Sequence, residues 1–193
     1  MEGVVAKKEL GTPAQYFSQA QVRYLASRMK TDHPVLWLGV QLLYYCFIRP
    51  GESRLLKVGD ILMEDAKICI PKEISKNKKT QYVIIPEPFR EDLEIALLGR
   101  NPAEYVLGDL TPISVNHLKY KHQSFLKSLH FDTKRHKLYS WKHTGAVAAC
   151  QVGINLKQLQ MQLRHHSLDQ VNAYLRQLGI MDLEDFSSKM PKI

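Results

Sequence analysis

The chain has 193 residues, of which 45% are hydrophobic and 24% charged, a composition that is ordinary for one globular domain. No apolar run approaches the roughly 20 residues that a membrane-spanning helix needs, and the first residues lack the pattern of a signal peptide. The three cysteines are widely spaced and form no Cys-x-x-Cys motif, which argues against a disulfide framework and a zinc site. We therefore expect a cytoplasmic protein with one core and no membrane partner.

The net charge of +8 is concentrated in one part of the chain. Between Ile113 and His166, nine lysine or arginine residues stand against one acid, Asp132, and seven of the eight histidines lie in the same stretch. A solvated basic face would explain scattered lysines, but clustering of this strength favours a polyanionic partner, most commonly nucleic acid.

The first half of the sequence predicts two helices followed by three short strands. Ser18 suits the N-cap of a helix whose apolar residues recur at helical spacing, and Pro34 begins a second, almost wholly apolar helix that ends before Pro50. Residues 59–71 predict two strands about a Glu-Asp turn, and residues 80–86 predict a third. The basic sequence SKNKK connects the second strand to the third.

The second half of the sequence predicts helices only. Residues 87–100 and 114–129 have helical periodicity, Gly153 separates two helical runs within residues 140–166, and a last helix ends at Gly179. The predicted fold is therefore mainly α with a small antiparallel three-stranded sheet.

Three segments carry residues suited to chemistry on a phosphate. They are LLYYCFIRPGESRLLKVGDI, then ISKNKKTQYVIIP, then YSWKHTGAVAACQVGINLKQLQMQLRHHSLDQVNAYL. In order and spacing they resemble the signatures of the tyrosine recombinases, the phage-integrase family: an Arg-x-Gly-Glu after a helix, a β-hairpin whose turn carries a lysine, and His-x-x-Arg-His followed by Leu-Gly-His and, nine residues later, Tyr. The resemblance covers residues 16–180 and implies the tyrosine recombinase catalytic-domain fold.

The resemblance implies a role for each matching residue. Arg49 takes the place of the first catalytic arginine and Lys76 that of the hairpin lysine, with Lys78 and Lys79 as alternatives because a turn can shift by a residue or two. Tyr174 takes the place of the nucleophile.

The spacing to the tyrosine also selects between two adjacent histidines. His165 lies nine residues before Tyr174 and takes the place of the third-motif histidine, whereas His166 falls on a following small-residue position. The simpler alternative is that Tyr174 has only a structural role and packs, with Val171 and Leu175, on the apolar face of its helix.

Two positions depart from the family pattern. Where it has His-x-x-Arg, this chain has Tyr139 and Lys142. Lysine supplies charge but not the planar fork that grips two phosphate oxygens, and tyrosine, which titrates near ~10, is a poor base at neutral pH. We still assign both residues to the site.

The implied chemistry requires neither a cofactor nor a metal ion. Fixed cations stabilise the charge that builds on the phosphate as Tyr174 attacks, and Lys76 protonates the departing 5′ oxygen. A 3′-phosphotyrosyl bond conserves the energy of the broken phosphodiester. The sequence has no acidic metal-ligand cluster.

The resemblance also implies partners and boundaries. We expect double-stranded DNA and other recombinase subunits as partners, in a tetramer on DNA and weakly associated or monomeric without it, in the nucleoid of a bacterium or encoded by a phage or mobile element. Residues 1–14 are predicted to be a linker, 15–180 a catalytic domain lacking an N-terminal core-binding domain, and 181–193 a tail docking in trans. The main alternative is a non-catalytic DNA-binding protein, because residues 142–163 also resemble a helix-turn-helix.

Overall fold

The computed structural model describes residues 15–179, which form eight α-helices, one short 3-10 helix (Val58–Asp60) and three short strands. The helices are α1 (Gln19–Asp32), α2 (Pro34–Tyr45), α3 (Pro50–Ser53), α4 (Glu87–Leu97), α5 (His117–Ser128), α6 (Ser140–Gln151), α7 (Leu156–Leu163) and α8 (Leu168–Gln177). The strands are β1 (Ile61–Leu62), β2 (Lys67–Ile70) and β3 (Gln81–Ile84). They form one antiparallel sheet in the order β1-β2-β3, so the predicted fold class is confirmed.

The first two helices begin where local signals predict. Ser18 forms a capping box with Gln21: its hydroxyl accepts from the Gln21 N–H, and the Gln21 side chain accepts from the Ser18 N–H. Pro34 opens α2, where the N–H that it lacks would have no partner within the helix. Helix α2 is the centre of the main core and packs against α1, α3, α4, α5 and α6. None of the helices in residues 15–179 is long and apolar enough to cross a membrane.

The sheet lies beside this core and presents a connecting segment. The turn between β1 and β2 falls at residues 63–66, as predicted, and β2 pairs with β3 from Lys67 opposite Ile84 to Ile70 opposite Gln81. Residues 71–80, which contain the lysines of SKNKK, join β2 to β3 and extend beyond the paired residues.

Helices α6, α7 and α8 pack around a second, smaller core. Its buried members are Phe47, Ala146, Leu159, Leu163, Val171 and Leu175. The predicted turn between α6 and α7 is present, with Gly153 at φ +80°, and Gly179 at φ +70° follows α8. The Gln162 side chain ties α7 to the sheet, because it accepts from the Ile84 N–H and donates to the Ile84 carbonyl.

One local expectation differs from the structure. The sequence places Arg49 directly after the apolar helix, but α2 ends at Tyr45 and Arg49 instead precedes α3 as its N-cap residue. A left-handed residue, Phe47 at φ +53°, lies in the segment between the two helices. The predicted linker (residues 1–14) and tail (residues 181–193) lie outside the described residues.

Candidate active site

Arg49 is positioned by the short helix that it begins. Pro50 starts α3, and Glu52 in the same turn accepts hydrogen bonds from the Arg49 N–H at 3.0 Å and from Arg49 Nη1 at 3.1 Å. Within residues 15–179, Arg49 Nε and Nη2 donate to no other group, and the side chain is 20% exposed. The free edge of the guanidinium can therefore bind an anion from outside.

Glu52 joins three distant parts of the chain. It is 2% exposed, and its Oε1 accepts the Lys76 N–H at 3.1 Å and Arg164 Nη1 at 3.2 Å, while its Oε2 accepts Arg164 Nη2 at 2.6 Å. Burial alone raises the pKa of Glu52, but the hydrogen bonds and charge of Arg164 and the N–H groups of Arg49 and Lys76 outweigh it and lower the pKa to about 2. Glu52 is therefore an anion at neutral pH.

Arg164 reaches Glu52 from the end of α7. It caps this helix in the left-handed conformation, at φ +58° and ψ +43°, which few residues other than glycine adopt. Its side chain is only 2% exposed and forms the two-point contact with Glu52. In the family pattern this position is the glycine of Leu-Gly-His, so the arginine adds a buried guanidinium to the site.

Lys76 is the lysine of the hairpin segment that contacts the site. Its N–H binds Glu52, and its side chain is exposed. Lys78 adopts φ +54° and donates its N–H to the Ser75 carbonyl, and Lys79 is also exposed. Of the three candidate lysines, Lys76 is the one whose backbone N–H contacts Glu52.

Lys142 is buried at the centre of the cation cluster. It lies in the first turn of α6, is 2% exposed, and donates from Nζ to the Phe47 carbonyl at 3.0 Å. Arg164 Nη2 lies 3.5 Å from the same carbonyl oxygen. Burial, followed by the charges of Arg49 and Arg164, lowers the pKa of Lys142 to about 7. An incoming phosphate would raise this pKa and keep the ammonium charged.

Tyr139 and His165 lie at the rim of the same cluster. Tyr139 is 36% exposed, and Lys142 Nζ lies 5.8 Å from the centre of its ring. Burial and the nearby charges of Lys142 and Arg49 lower the pKa of His165 to about 4. His165 is therefore neutral at pH 7, and it can contribute a hydrogen bond to a phosphate but not a positive charge.

Tyr174 faces the site from α8. Its ring packs against the second core, and its hydroxyl oxygen lies 2.7 Å from Nδ1 of His143 on α6. The ring of His165 lies edge-on to the Tyr174 ring, with the two centres 5.8 Å apart. Burial, with smaller contributions from Tyr139 and Cys150, raises the pKa of the phenol. The hydroxyl is therefore protonated in the structure.

The structure thus links the predicted site residues to one cluster, and it adds three that the sequence prediction omitted. The additional residues are Glu52, His143 and Arg164. His143 occupies the last position of His-x-x-Arg-His, so the motif itself held a signal for it. Glu52 is likewise part of Arg-x-Gly-Glu, whereas nothing in the pattern points to Arg164.

The site has the composition of an anion-binding centre. Arg49, Lys142 and Arg164 approach one another around a single carboxylate. Among the described residues no group of three or more His, Cys, Asp or Glu side chains is placed to hold a metal ion. What the arrangement can do is bind a phosphate through cations and present a tyrosine hydroxyl beside it.

Comparison with other proteins extends these findings. Residues 15–179 match the model of the phage integrase family. The tyrosine recombinase of Pseudothermotoga lettingae is 29% identical over 173 residues, which cover 86% of this chain and 56% of that protein. The chain therefore spans little more than half the length of this curated relative.

Solved structures share the fold at low sequence identity. The XerA recombinase superposes with a TM-score of 0.72 at 19% identity, covering 94% of this chain and 68% of that one. The Tn1549 transposon integrase in complex with a circular intermediate DNA gives 0.72 at 14% identity, covering 95% and 66%. A lambda integrase dimer bound to a COC′ core site gives 0.70 at 16% identity, covering 97% and 52%.

Proposed function

The chain belongs to the phage integrase family of tyrosine recombinases, and from that premise we propose that it cuts and rejoins DNA strands at specific sites through a 3′-phosphotyrosyl intermediate on Tyr174. The observation that carries the proposal is the position of the Tyr174 hydroxyl. It contacts His143, whose neighbour in sequence, Lys142, belongs to the cation cluster around Glu52. The proposed nucleophile and the residues suited to bind an anion are thus linked through two consecutive residues of α6.

The proposed reaction assigns a task to each side of the site. The free edge of Arg49 and the ammonium of Lys142 bind the non-bridging oxygens of the scissile phosphate, where negative charge grows in the transition state. Neutral His165 donates a hydrogen bond to the same oxygens. Lys76 lies on an exposed segment tied to Glu52, from which its ammonium protonates the leaving 5′ oxygen. Tyr139 borders the phosphate from the rim.

Double-stranded DNA is the proposed substrate and partner. The basic stretch between Ile113 and His166 supplies positive charge. An open groove is lined by Lys119, Lys137 and Tyr139 of this stretch and by Pro50, which directly follows Arg49. Counterion release at each phosphate contact makes such binding salt-dependent. We expect affinity for a random duplex to fall steeply, on the order of 10³-fold for six contacts, between 50 and 200 mM salt; unchanged affinity would contradict this interface.

The assembly follows from the same proposal. Recombination joins two duplexes, so we propose that four subunits act together on DNA and that the chain is monomeric or weakly associated without it. We further propose that residues 15–180 are the catalytic part of a longer recombinase that is encoded by a mobile element or phage.

Covalent capture tests the reaction and finds its DNA site. A pool of duplexes with a nick beside randomised sequence is incubated with the full-length protein in EDTA, and covalently trapped DNA is recovered and sequenced. The nick releases the short 5′ strand and prevents religation. We expect an adduct on the 3′ phosphate, formed without metal because side chains supply the cations, and lost in Tyr174→Phe. An adduct that survives Tyr174→Phe would overturn the assignment.

The same variant separates catalysis from binding alone. A non-catalytic helix-turn-helix protein needs no nucleophile, so Tyr174→Phe would change nothing measurable in it. Here the hydroxyl reaches His143 while the ring keeps its packing in the second core. The phenylalanine protein is therefore expected to fold and bind DNA like the wild type. Tyr16, an exposed tyrosine outside the site, provides the matched control Tyr16→Phe.

A further inference from the structure

The attacking hydroxyl of Tyr174 needs an acceptor for its proton. Burial raises the pKa of this phenol, so the phenolate is scarce at neutral pH and the proton must leave as the bond to phosphorus forms. Within residues 15–179, the Tyr174 hydroxyl has one hydrogen-bond partner, Nδ1 of His143, at 2.7 Å. The acceptor is thus in contact with the nucleophile before DNA arrives.

His143 has the charge state that a proton acceptor requires. Burial, and then the adjacent charge of Lys142, lowers the pKa of His143 below its usual value of 6.5. The imidazole is neutral at pH 7, and with its proton on Nε2 it accepts at Nδ1. The Tyr174 hydroxyl then donates to His143, which is the direction of the transfer.

The other candidates fit this task less well. Tyr139 stands where the family pattern has a histidine, and a phenol is a poor base at neutral pH. His165 meets the Tyr174 ring edge-on without a hydrogen bond to its hydroxyl, and its pKa falls to about 4, which makes it a weaker base than an ordinary imidazole. His143 combines contact with basicity.

We propose that His143 is the general base of the cleavage step, an inference that rests on the proposed function. As Tyr174 Oη bonds to phosphorus, its proton passes to His143 Nδ1, and the bond from phosphorus to the 5′ oxygen breaks. The 5′ oxygen leaves with the electron pair of that bond and takes a proton from Lys76. On religation both protons return along the same paths.

The position of His143 couples the base to substrate binding. Lys142 and His143 are consecutive on α6, and the positive charge of Lys142 is one cause of the lowered pKa of His143. A phosphate bound to Lys142 offsets that charge and raises the pKa of His143. His143 therefore becomes a stronger base when DNA occupies the site.

The pH dependence reflects every group around the imidazole. The neighbouring titratable groups come from three parts of the chain. Lys142 and Cys150 lie in α6, and Tyr139 directly precedes it. Tyr174 faces His143 from α8, and His165 lies between α7 and α8. Of these, His143 is the group that must be unprotonated for the transfer. We expect the single-turnover cleavage rate of the wild type to rise with pH along a limb that lies near or below pH 6.5.

The experiment uses the duplex selected by covalent capture and follows adduct formation by the full-length protein. His143→Asn and His143→Gln should lower the rate on the order of 10²-fold or more, with DNA binding and the melting temperature retained. The defect should shrink as pH rises, because hydroxide then removes the phenolic proton. His166→Asn is the matched control, since His166 is exposed and outside the site.

A second substrate distinguishes the base from the acid. When sulfur replaces the bridging 5′ oxygen, the leaving thiolate needs no proton, so the defect of Lys76→Ala should disappear while that of His143→Asn remains. Rescue of His143→Asn by sulfur, a faster His143→Asn, or no change in its rate would overturn the proposal. If the variants fail to fold, a wild-type cleavage rate with no rising limb at or below about pH 6.5 overturns it. Absence of any Tyr174 adduct in the wild type would instead refute the proposed function.

Discussion

Glu52 and Arg164 form a buried ion pair. The substitution Glu52→Gln removes the negative charge that Arg164 needs as its counter-ion. The two side chains are 3% and 2% exposed and lie 2.6 Å apart. Glutamine keeps the shape and one acceptor oxygen but leaves the Arg164 guanidinium without a counter-ion in a place that water does not reach. We therefore expect a large loss of stability from this near-isosteric change.

Two estimates of the magnitude agree. Removal of one partner of a buried pair costs about 3–5 kcal/mol. The fall of the Glu52 pKa from 4.5 to about 2 corresponds to about 3 kcal/mol. At roughly 2–4 °C per kcal/mol for a domain of this size, the melting temperature should fall by about 6–20 °C.

The pH dependence of folding stability provides a second test of the same ion pair. Because the pKa of Glu52 is lower in the folded than in the unfolded state, its contribution is complete above about pH 5 and is lost as pH falls towards 2. The stability of the wild type should therefore decline over this range more steeply than that of Glu52→Gln. Urea denaturation at a series of pH values measures both.

An exposed pair supplies the matched control. Arg90 Nε lies 3.2 Å from Glu94 Oε1, with the side chains 38% and 52% exposed. Glu94→Gln should cost only about 0.2–1 kcal/mol because water screens this pair. If Glu52→Gln costs no more than Glu94→Gln, the buried carboxylate does not hold the site together and the reasoning is refuted.

Two further substitutions test the packing around the site. Gly145→Ala should destabilise the protein by about 3 kcal/mol or more in urea denaturation, because the added Cβ would lie 2.0 Å from the Tyr44 carbonyl oxygen. Gly51→Ala is the control and should cost little, because a Cβ at that position meets nothing within 4 Å. Lys142→Arg alone should cost about 1–3 kcal/mol and lower the cleavage rate, because Arg164 already shares the carbonyl that Lys142 binds. A Lys142→Arg variant as stable as the wild type in urea denaturation would contradict this account.

Local sequence signals determine where several helices of this protein begin and end. The Ser18 cap, the proline that opens α2 and the glycines after α6 and α8 act over a few residues, so the elements they delimit can be predicted without knowledge of the neighbours. The spacing of His165 and Tyr174 along the chain likewise indicated the family. Periodicity and caps also sufficed for the fold class.

Tertiary structure alone decided how the site is assembled. Arg164 and Glu52 are 112 residues apart in sequence, and His143 and Tyr174 are 31 apart, so their contacts depend on how α6, α7 and α8 pack around the second core. The same packing buries Lys142, and this burial lowers the pKa of Lys142 to about 7. The position of the lysine in the sequence does not reveal that burial. Pairing and desolvation arise from groups that are distant along the chain, and for that physical reason the sequence pattern pointed to Tyr174 as a candidate nucleophile but did not show which imidazole contacts it.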